Sequence, residues 1–406
     1  MTRRIVIVGA SLTGSSAAIA LRGEGFDGSI TLIGAEKHPP YERPPLSKEY
    51  LRGESRIEKA FVKPPEWYVE NDVDLRTGAA AERLNVVDKV VELAGGERVP
   101  YDDVLIATGC RNRTLRTPGA ELDGIFQLRS IAESDAIRAA ASEVRTAIVV
   151  GMGFIGAEVA ASLRGLGVEV TAIEPLPTPL ARVLGPEVGS ALASLHSDNG
   201  VNLVLEDIVE SFEGSGRVSG VLTKAGLKLE ADMVVAGIGV EPAIDVVAGT
   251  PVATENGIMV DEHCRTNVEG VYAAGDVANH FHPLYGRHMR VEHWQNAMRH
   301  GAHAAKSMLG PTEPYSEVHW FWSDQYDANL QYAGHHTAWD ELVVRGSISE
   351  RSFLAFYVKD GLIDAAVAMN RGKELRRSTA IIKARRPVDA KQLADEEVDL
   401  KALADA

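Results

Sequence analysis

Gly9, Ser11 and Gly14, and again Gly151, Gly153 and Gly156, stand at the spacing of a turn that brings backbone against a pyrophosphate. Such a turn binds a dinucleotide. Its first glycine lets the chain turn tightly, its second lets phosphates reach the backbone, and its third lets a helix pack close to a strand. Unpaired amides at the helix N-terminus and the helix dipole supply the attracting field. Two such turns in one polypeptide, the second including Ile155, predict two dinucleotide sites with electron transfer between them. Each is followed by an acid suited to accept hydrogen bonds from ribose hydroxyls, Glu36 and Glu174, close to the roughly 20 residues downstream that the role requires. Ser11 puts a side chain at the middle position of the first copy, which hinders the closest approach of phosphate. Glu174 would repel a 2′-phosphate and no arginine follows before Arg182, so NADH rather than NADPH is expected at the second site. Arg182 either flanks the adenosine or a phosphate, or is an ordinary surface arginine.

The elements that must hold these residues can be read around them. Apolar runs at 4–8 and 146–150 precede the two turns, and helices of small residues follow. Further apolar runs at 30–33 and 168–173 lead to Glu36 and Glu174. A strand at 103–106 runs into Ala107, Thr108 and Gly109, a turn between two lobes. The run 231–242 reads as a strand ending in Gly237 and Gly239, which let backbone approach a ligand, and 270–278 repeats the theme with Gly275 and Asp276. From about Tyr315 the texture becomes aromatic and β-rich, and from Glu374 onward it becomes helical. The expected fold class is α/β, with two Rossmann-like dinucleotide-binding domains in a glutathione-reductase-like arrangement and a smaller α+β C-terminal domain. Residues 1–110 with 243–314 would form the first, discontinuous domain, 111–242 the second and 315–406 the third.

Composition agrees with a globular enzyme. The 406 residues suffice for two or three domains, and 45% hydrophobic content is ordinary. No apolar run approaches the length of a membrane span, and the N-terminal run reads as a first strand rather than a signal peptide, so a cytoplasmic location without membrane association is expected. A formal charge of −15 argues against nucleic acid as a partner. The two cysteines, Cys110 and Cys264, are far apart and form no C-x-x-C motif. One basic stripe breaks the acidic balance, with Arg371, Lys373, Arg376 and Arg377 at its start. Either an acidic protein docks there, or the stripe is a solvated helix face balanced by the acids between Asp395 and Asp399.

Nearly the whole chain resembles the flavin-dependent ferredoxin reductases of the putidaredoxin-reductase type, which include the reductase components of aromatic dioxygenases. The resemblance rests on Pro-Tyr-Glu-Arg-Pro-Pro-Leu-Ser-Lys at 40–48, Gly-Met-Gly-Phe-Ile-Gly-Ala-Glu at 151–158, Val-Tyr-Ala-Ala-Gly-Asp at 271–276 and Trp-Phe-Trp-Ser-Asp-Gln-Tyr-Asp at 320–327. It implies FAD extended along the first domain, with Glu36 on the adenosine ribose and Asp276 on the ribityl or phosphate part. Arg43 and Pro45 would line the cofactor. Lys48 would stand near flavin N5 with Glu158 beside it, where a cation stabilises the charge that arrives with a hydride and the carboxylate orients it. Trp322 would flank the isoalloxazine, and Trp294 is expected at the same site.

Six of the 12 histidines lie between His280 and His303. His300 and His303 are spaced i, i+3, yet no His-Glu-x-x-His accompanies them, and no metal site is expected. The leading expectation is an NADH-dependent reductase that passes single electrons from FAD to a 2Fe-2S ferredoxin serving a haem-thiolate (cytochrome P-450) or Rieske-type oxygenase. An NADH oxidase or disulfide reductase would need a redox cysteine near the flavin, which 40–48 lacks. An NADH-binding protein like apoptosis-inducing factor would need a basic surface for nucleic acid. Monomer and dimer both remain open.

Overall fold

A computed structural model describes residues 3–405. The chain forms two compact units, each assembled from separated stretches. The first comprises everything up to Glu42, Ile57–Arg111 and Val240–His319; the second comprises Arg43–Arg56, Asn112–Gly239 and the chain from Trp320 on.

The first unit is built on a five-stranded parallel sheet in the order Val271–Ala273, Asp103–Ile106, Arg4–Val8, Ser29–Ile33, Val73–Arg76. Such a sheet must be covered on both faces, which is why its strands are almost continuously apolar. Alternation along Arg4–Val8 shows both covers. Ile5 and Ile7 pack with Ala17, Ala18 and Leu21 of helix Leu12–Gly23 and with Ala304, Ala305 and Met308 of helix Trp294–Leu309. Val6 and Val8 instead meet Leu84, Val91, Leu93 and Val99 of a three-stranded antiparallel sheet. The two helices approach closely because Gly301 has no side chain, a Cβ there standing only 2.3 Å from the Thr13 carbonyl oxygen. A smaller sheet joins Ile258–Val260, Ala278–His282 and Arg287–Arg290.

The second unit repeats the parallel plan, in the order Asn202–Leu205, Glu169–Glu174, Thr146–Val150, Met233–Ala236, Ile125–Phe126. Phe212, Val218 and Val221 of an antiparallel three-stranded sheet pack on Ile148, Ile173 and Val234. The C-terminal part is a five-stranded antiparallel sheet, Trp320–Gln325, Ala328–Gly334, Leu362–Met369, Ser352–Lys359, Glu341–Ser347. One face of it buries Phe353, Ala355, Tyr357, Val367 and Met369 with Leu184, Val188 and Leu192 of helix Ala181–Asp198. Helix Gly372–Ala384 follows. The expected α/β architecture, two Rossmann-like regions with a smaller C-terminal domain, is the one observed.

Candidate active site

Both glycine turns are closed by backbone that no side chain could enter. Gly9 holds φ +120, and a Cβ on it would lie 2.1 Å from the Ala107 carbonyl oxygen; one on Gly14 would lie 2.0 Å from the carbonyl oxygen of Gly9. The second turn repeats this, Gly151 (φ +87) facing the Gly237 oxygen at 2.6 Å and Gly156 the Gly151 oxygen at 1.9 Å. Gly153 is different, because a Cβ there would meet nothing within 4 Å. That open space over a helix start is what a pyrophosphate needs. Ser11 stands at the matching position as N-cap of helix Leu12–Gly23, its hydroxyl makes no capping bond, and neither helix carries an acid in its first turn. The positive helix ends thus meet no acid of their own first turns.

The two acids that follow the glycine turns are held differently. Glu36 is half-buried and accepts a hydrogen bond from Tyr41 Oη at 2.5 Å. Glu174 is buried, and its carboxylate accepts from the amides of Met152 at 2.6 Å and Leu176 at 3.1 Å, so it braces the glycine turn itself. Arg182 is exposed at the start of helix Ala181–Asp198. The remaining backbone segments complete the two floors. Thr108 Oγ1 donates to the Ala243 carbonyl at 2.7 Å, the Ala243 amide donates to Gly109, and Gly237 donates to Val150 at 2.8 Å ahead of Gly239, which has φ +92. Gly275 (φ +74) lies against Thr13, with half-buried Asp276 following. Trp294 opens helix Trp294–Leu309. Burial pushes the Glu42 carboxyl above its ordinary range, while the Trp294 indole favours the charged form.

In the second unit Pro44 and Pro45 start a single 3-10 turn, Pro44–Ser47, and Lys48 caps it by donating its amide to the Pro45 carbonyl at 3.0 Å. Lys48 and Glu158 are buried, with Lys48 Nζ 2.6 Å from Glu158 Oε2 and 3.3 Å from the Pro44 carbonyl. Glu158 is the fifth residue of helix Phe154–Gly165 and points away from water, so it is not a first-turn charge answering the helix dipole. Two hydroxyls complete it, Ser47 Oγ donating to Oε2 at 2.5 Å and Ser323 Oγ donating to Oε1 at 2.7 Å. Behind Ser323 lies a buried series: Gln325 Nε2 donates to its hydroxyl at 3.1 Å, His196 Nε2 meets Gln325 Oε1 at 2.9 Å, and Tyr326 Oη meets His196 Nδ1 at 3.2 Å. Ser134 and Ser162 fix the Pro44–Lys48 segment through the carbonyls of Leu46 and Ser47, and the Arg43 guanidinium donates to the Arg129 carbonyl. Alternation along Trp320–Gln325 buries Phe321, Ser323 and Gln325 and turns Trp320 and Trp322 to the other face. Those two indoles stack at 5.4 Å, and Trp322 Nε1 donates to Asp324 at 3.0 Å.

Ser47, Ser323, Gln325 and His196 escape sequence reasoning. A signal existed for Ser323 and Gln325, which are polar residues on the buried register of a strand.

Cys110 and Cys264 are both buried and neither forms a disulfide among the described residues; burial holds the Cys264 thiol well above its usual pKa, and the Arg290 guanidinium donates to Cys110 Sγ at 3.2 Å. On helix Gly372–Ala384 the basic stripe is split. Arg371 pairs with Glu374 and Glu396, whereas Lys373, Arg376 and Arg377 are exposed.

Two nucleotide turns on parallel sheets, a buried lysine–carboxylate pair and an antiparallel C-terminal sheet together define a class. The chain belongs to the pyridine nucleotide-disulphide oxidoreductase family, which it matches over residues 3–301, and residues 320–404 match the reductase C-terminal family. Among relatives it is 36% identical to rhodocoxin reductase of Rhodococcus erythropolis, over 98% of this chain and 93% of that one. It is 38% identical to the ferredoxin–NAD(+) reductase component of the anthranilate 1,2-dioxygenase system of Burkholderia cepacia, over 98% of each chain. The solved covalent complex of putidaredoxin reductase with putidaredoxin superposes with a TM-score of 0.95 at 32% identity, over 99% of this chain and 98% of that one.

Proposed function

We propose that the protein is an FAD-dependent NADH:ferredoxin reductase that delivers single electrons to a 2Fe-2S ferredoxin of a cytochrome P-450 or Rieske-type oxygenase. One observation carries the reading: the chain keeps the buried Lys48–Glu158 pair but has no dithiol, its two cysteines being single and buried. Electrons taken from NADH therefore have no disulfide to go to, and relatives named as ferredoxin reductases cover almost the full chain. The two glycine turns fit two dinucleotides, FAD at Gly9, Ser11, Gly14, Glu36, Ala107, Thr108, Gly109, Gly275 and Asp276, and NADH at Gly151, Gly153, Ile155, Gly156, Glu174, Gly237 and Gly239, with Arg182 at its adenosine end. When bound, FAD supplies acceptance of two electrons at once and release of one at a time.

The protein's own contribution is positional and electrostatic. Lys48 supplies a fixed cation where negative charge builds up, in surroundings dry enough for that charge to act at short range. Glu158 holds the ammonium in one orientation, and Ser47 and Ser323 each donate a hydrogen bond to one of its carboxylate oxygens, which fixes the acceptor in turn. Arg43, Pro45, Trp294 and Trp322 complete the proposed flavin surroundings. The ferredoxin is proposed to dock near Arg371, Lys373, Arg376 and Arg377, of which the last three are exposed. Among the described residues no helix is long and apolar enough to cross a membrane, which suits the proposed cytoplasmic location.

The test is NADH consumption by FAD-loaded protein with and without a 2Fe-2S ferredoxin coupled to a coloured one-electron acceptor, with oxygen uptake followed in parallel. Ferredoxin-dependent turnover with little oxygen uptake supports the reading. Rapid oxygen uptake indifferent to every ferredoxin tried moves the protein to the oxidases.

A further inference from the structure

Histidines gather in the first unit where the nucleotide chemistry does not use them. His280 and His282 are two residues apart on strand Ala278–His282, so both side chains leave the same face. His319, the last residue of that unit, brings a third imidazole to them. All three are fully buried, and their candidate ligand nitrogens lie within 4.8 Å of one another. The pair spaced i, i+3 in the sequence, His300 and His303, is not the one gathered. His300 Nδ1 accepts from the Gly275 amide at 3.2 Å and belongs to the protein's own hydrogen bonds.

Hydrogen bonding favours ligation. His282 Nε2 donates to the Glu317 carbonyl at 2.9 Å, which leaves Nδ1 as the lone-pair nitrogen, and that atom is buried without a hydrogen-bond partner. A carbonyl behind an imidazole is how proteins commonly orient a metal-bound histidine.

We propose that His280, His282 and His319 form a buried site for one divalent transition-metal ion of the zinc type, with water in the fourth position. Imidazole nitrogens select zinc, cobalt, nickel or copper over magnesium and calcium. A tetrahedral ion with Zn–N bonds of about 2.0–2.1 Å needs nitrogens roughly 3.3 Å apart, so closure from the observed spread takes side-chain shifts of about an ångström. The ion would pin strand Ala278–His282 to the chain at His319 and act as a structural cross-link.

Metal content and cobalt uptake of untagged, FAD-loaded protein decide the matter. About one zinc per chain should survive dialysis against metal-free buffer, and chelator-stripped protein should take up Co²⁺ with the intense visible bands of tetrahedral nitrogen coordination. His319→Phe keeps a ring in the cluster while deleting a ligand, and His282→Ala deletes another. Each should weaken Co²⁺ uptake by more than about 100-fold, whereas His303→Ala should not. Flavin content and circular dichroism show whether each variant is folded. Wild-type protein that takes up no stoichiometric zinc or cobalt, or a folded His319→Phe that binds Co²⁺ as wild type does, overturns the site.

Discussion

Lys48 Nζ sits 2.6 Å from Glu158 Oε2, with 9% and 6% of the two side chains exposed. A pair so dry is weak evidence for stability but strong evidence for placement, because desolvation consumes most of the Coulombic gain while the geometry stays fixed.

Lys48→Met should therefore slow reduction of the bound flavin by NADH on the order of 100-fold. It should also destabilise the fold by about 3 kcal/mol, because the buried Glu158 side chain would lose its cationic partner and keep only Ser47 and Ser323 as donors. Adding Glu158→Gln should restore the stability but not the rate. Stopped-flow flavin bleaching and chemical denaturation read the two effects separately, and a wild-type bleaching rate in Lys48→Met removes it from the site.

Glycine substitutions separate packing from ligand. Gly156→Ala should misfold or lose several kcal/mol, because its Cβ would be forced against the Gly151 carbonyl. Gly153→Ala should leave melting temperature nearly unchanged, since its Cβ enters open space, yet raise KM for NADH about tenfold or more by occupying the room reserved for pyrophosphate. Equal KM values for Gly153→Ala and wild type would mean that NADH does not bind at this turn.

Glu174 braces Met152 and is proposed also to repel a 2′-phosphate. Glu174→Ala should lower the ratio of kcat/KM for NADH over NADPH by about tenfold. A fall in melting temperature with an unchanged ratio would leave it only the bracing role.

Acid should destabilise the second unit through His196. Burial lowers its pKa from 6.5 to about 4, so the neutral imidazole favours folding. A depressed pKa contributes stability that is complete above 6.5 and is lost as pH falls toward about 4, at most about 3 kcal/mol for this group. Melting curves between pH 7.5 and pH 4 should show the loss, and His196→Asn should flatten it. An identical pH dependence in that variant would assign the acid sensitivity elsewhere.

Charge reversal on the exposed basic face tests docking. Lys373→Glu with Arg377→Glu should raise KM for the ferredoxin and weaken its salt dependence, with NADH-driven flavin reduction unaltered. An unchanged KM would move the docking surface off helix Gly372–Ala384.

What the sequence disclosed follows physical locality. The glycine turns were legible because strand, turn and helix lie within a few tens of residues, and Lys48 and Glu158 could be named because the segments around them resemble a family. The hydroxyls that hold Glu158 were hidden, since Ser323 is 165 residues from it in sequence and meets it only after folding. Glu174 was marked by its spacing as a ribose-binding acid, but its grip on the Met152 amide needed coordinates. The histidine cluster was hidden in the same way. Helical spacing drew the eye to His300 and His303, while strand alternation at His280 and His282 and a distant His319 make the actual gathering.

Ser47, Glu158 and Ser323 come from the three separate stretches that build the second unit. Synthesis therefore cannot complete the hydrogen bonds around Glu158 until residue 323 has been made. Both parallel sheets and the Lys48–Glu158 contact lie in chain made before that point, yet the carboxylate lacks one of its two hydroxyl donors until Ser323 emerges, so order of synthesis leaves this pair to be finished last.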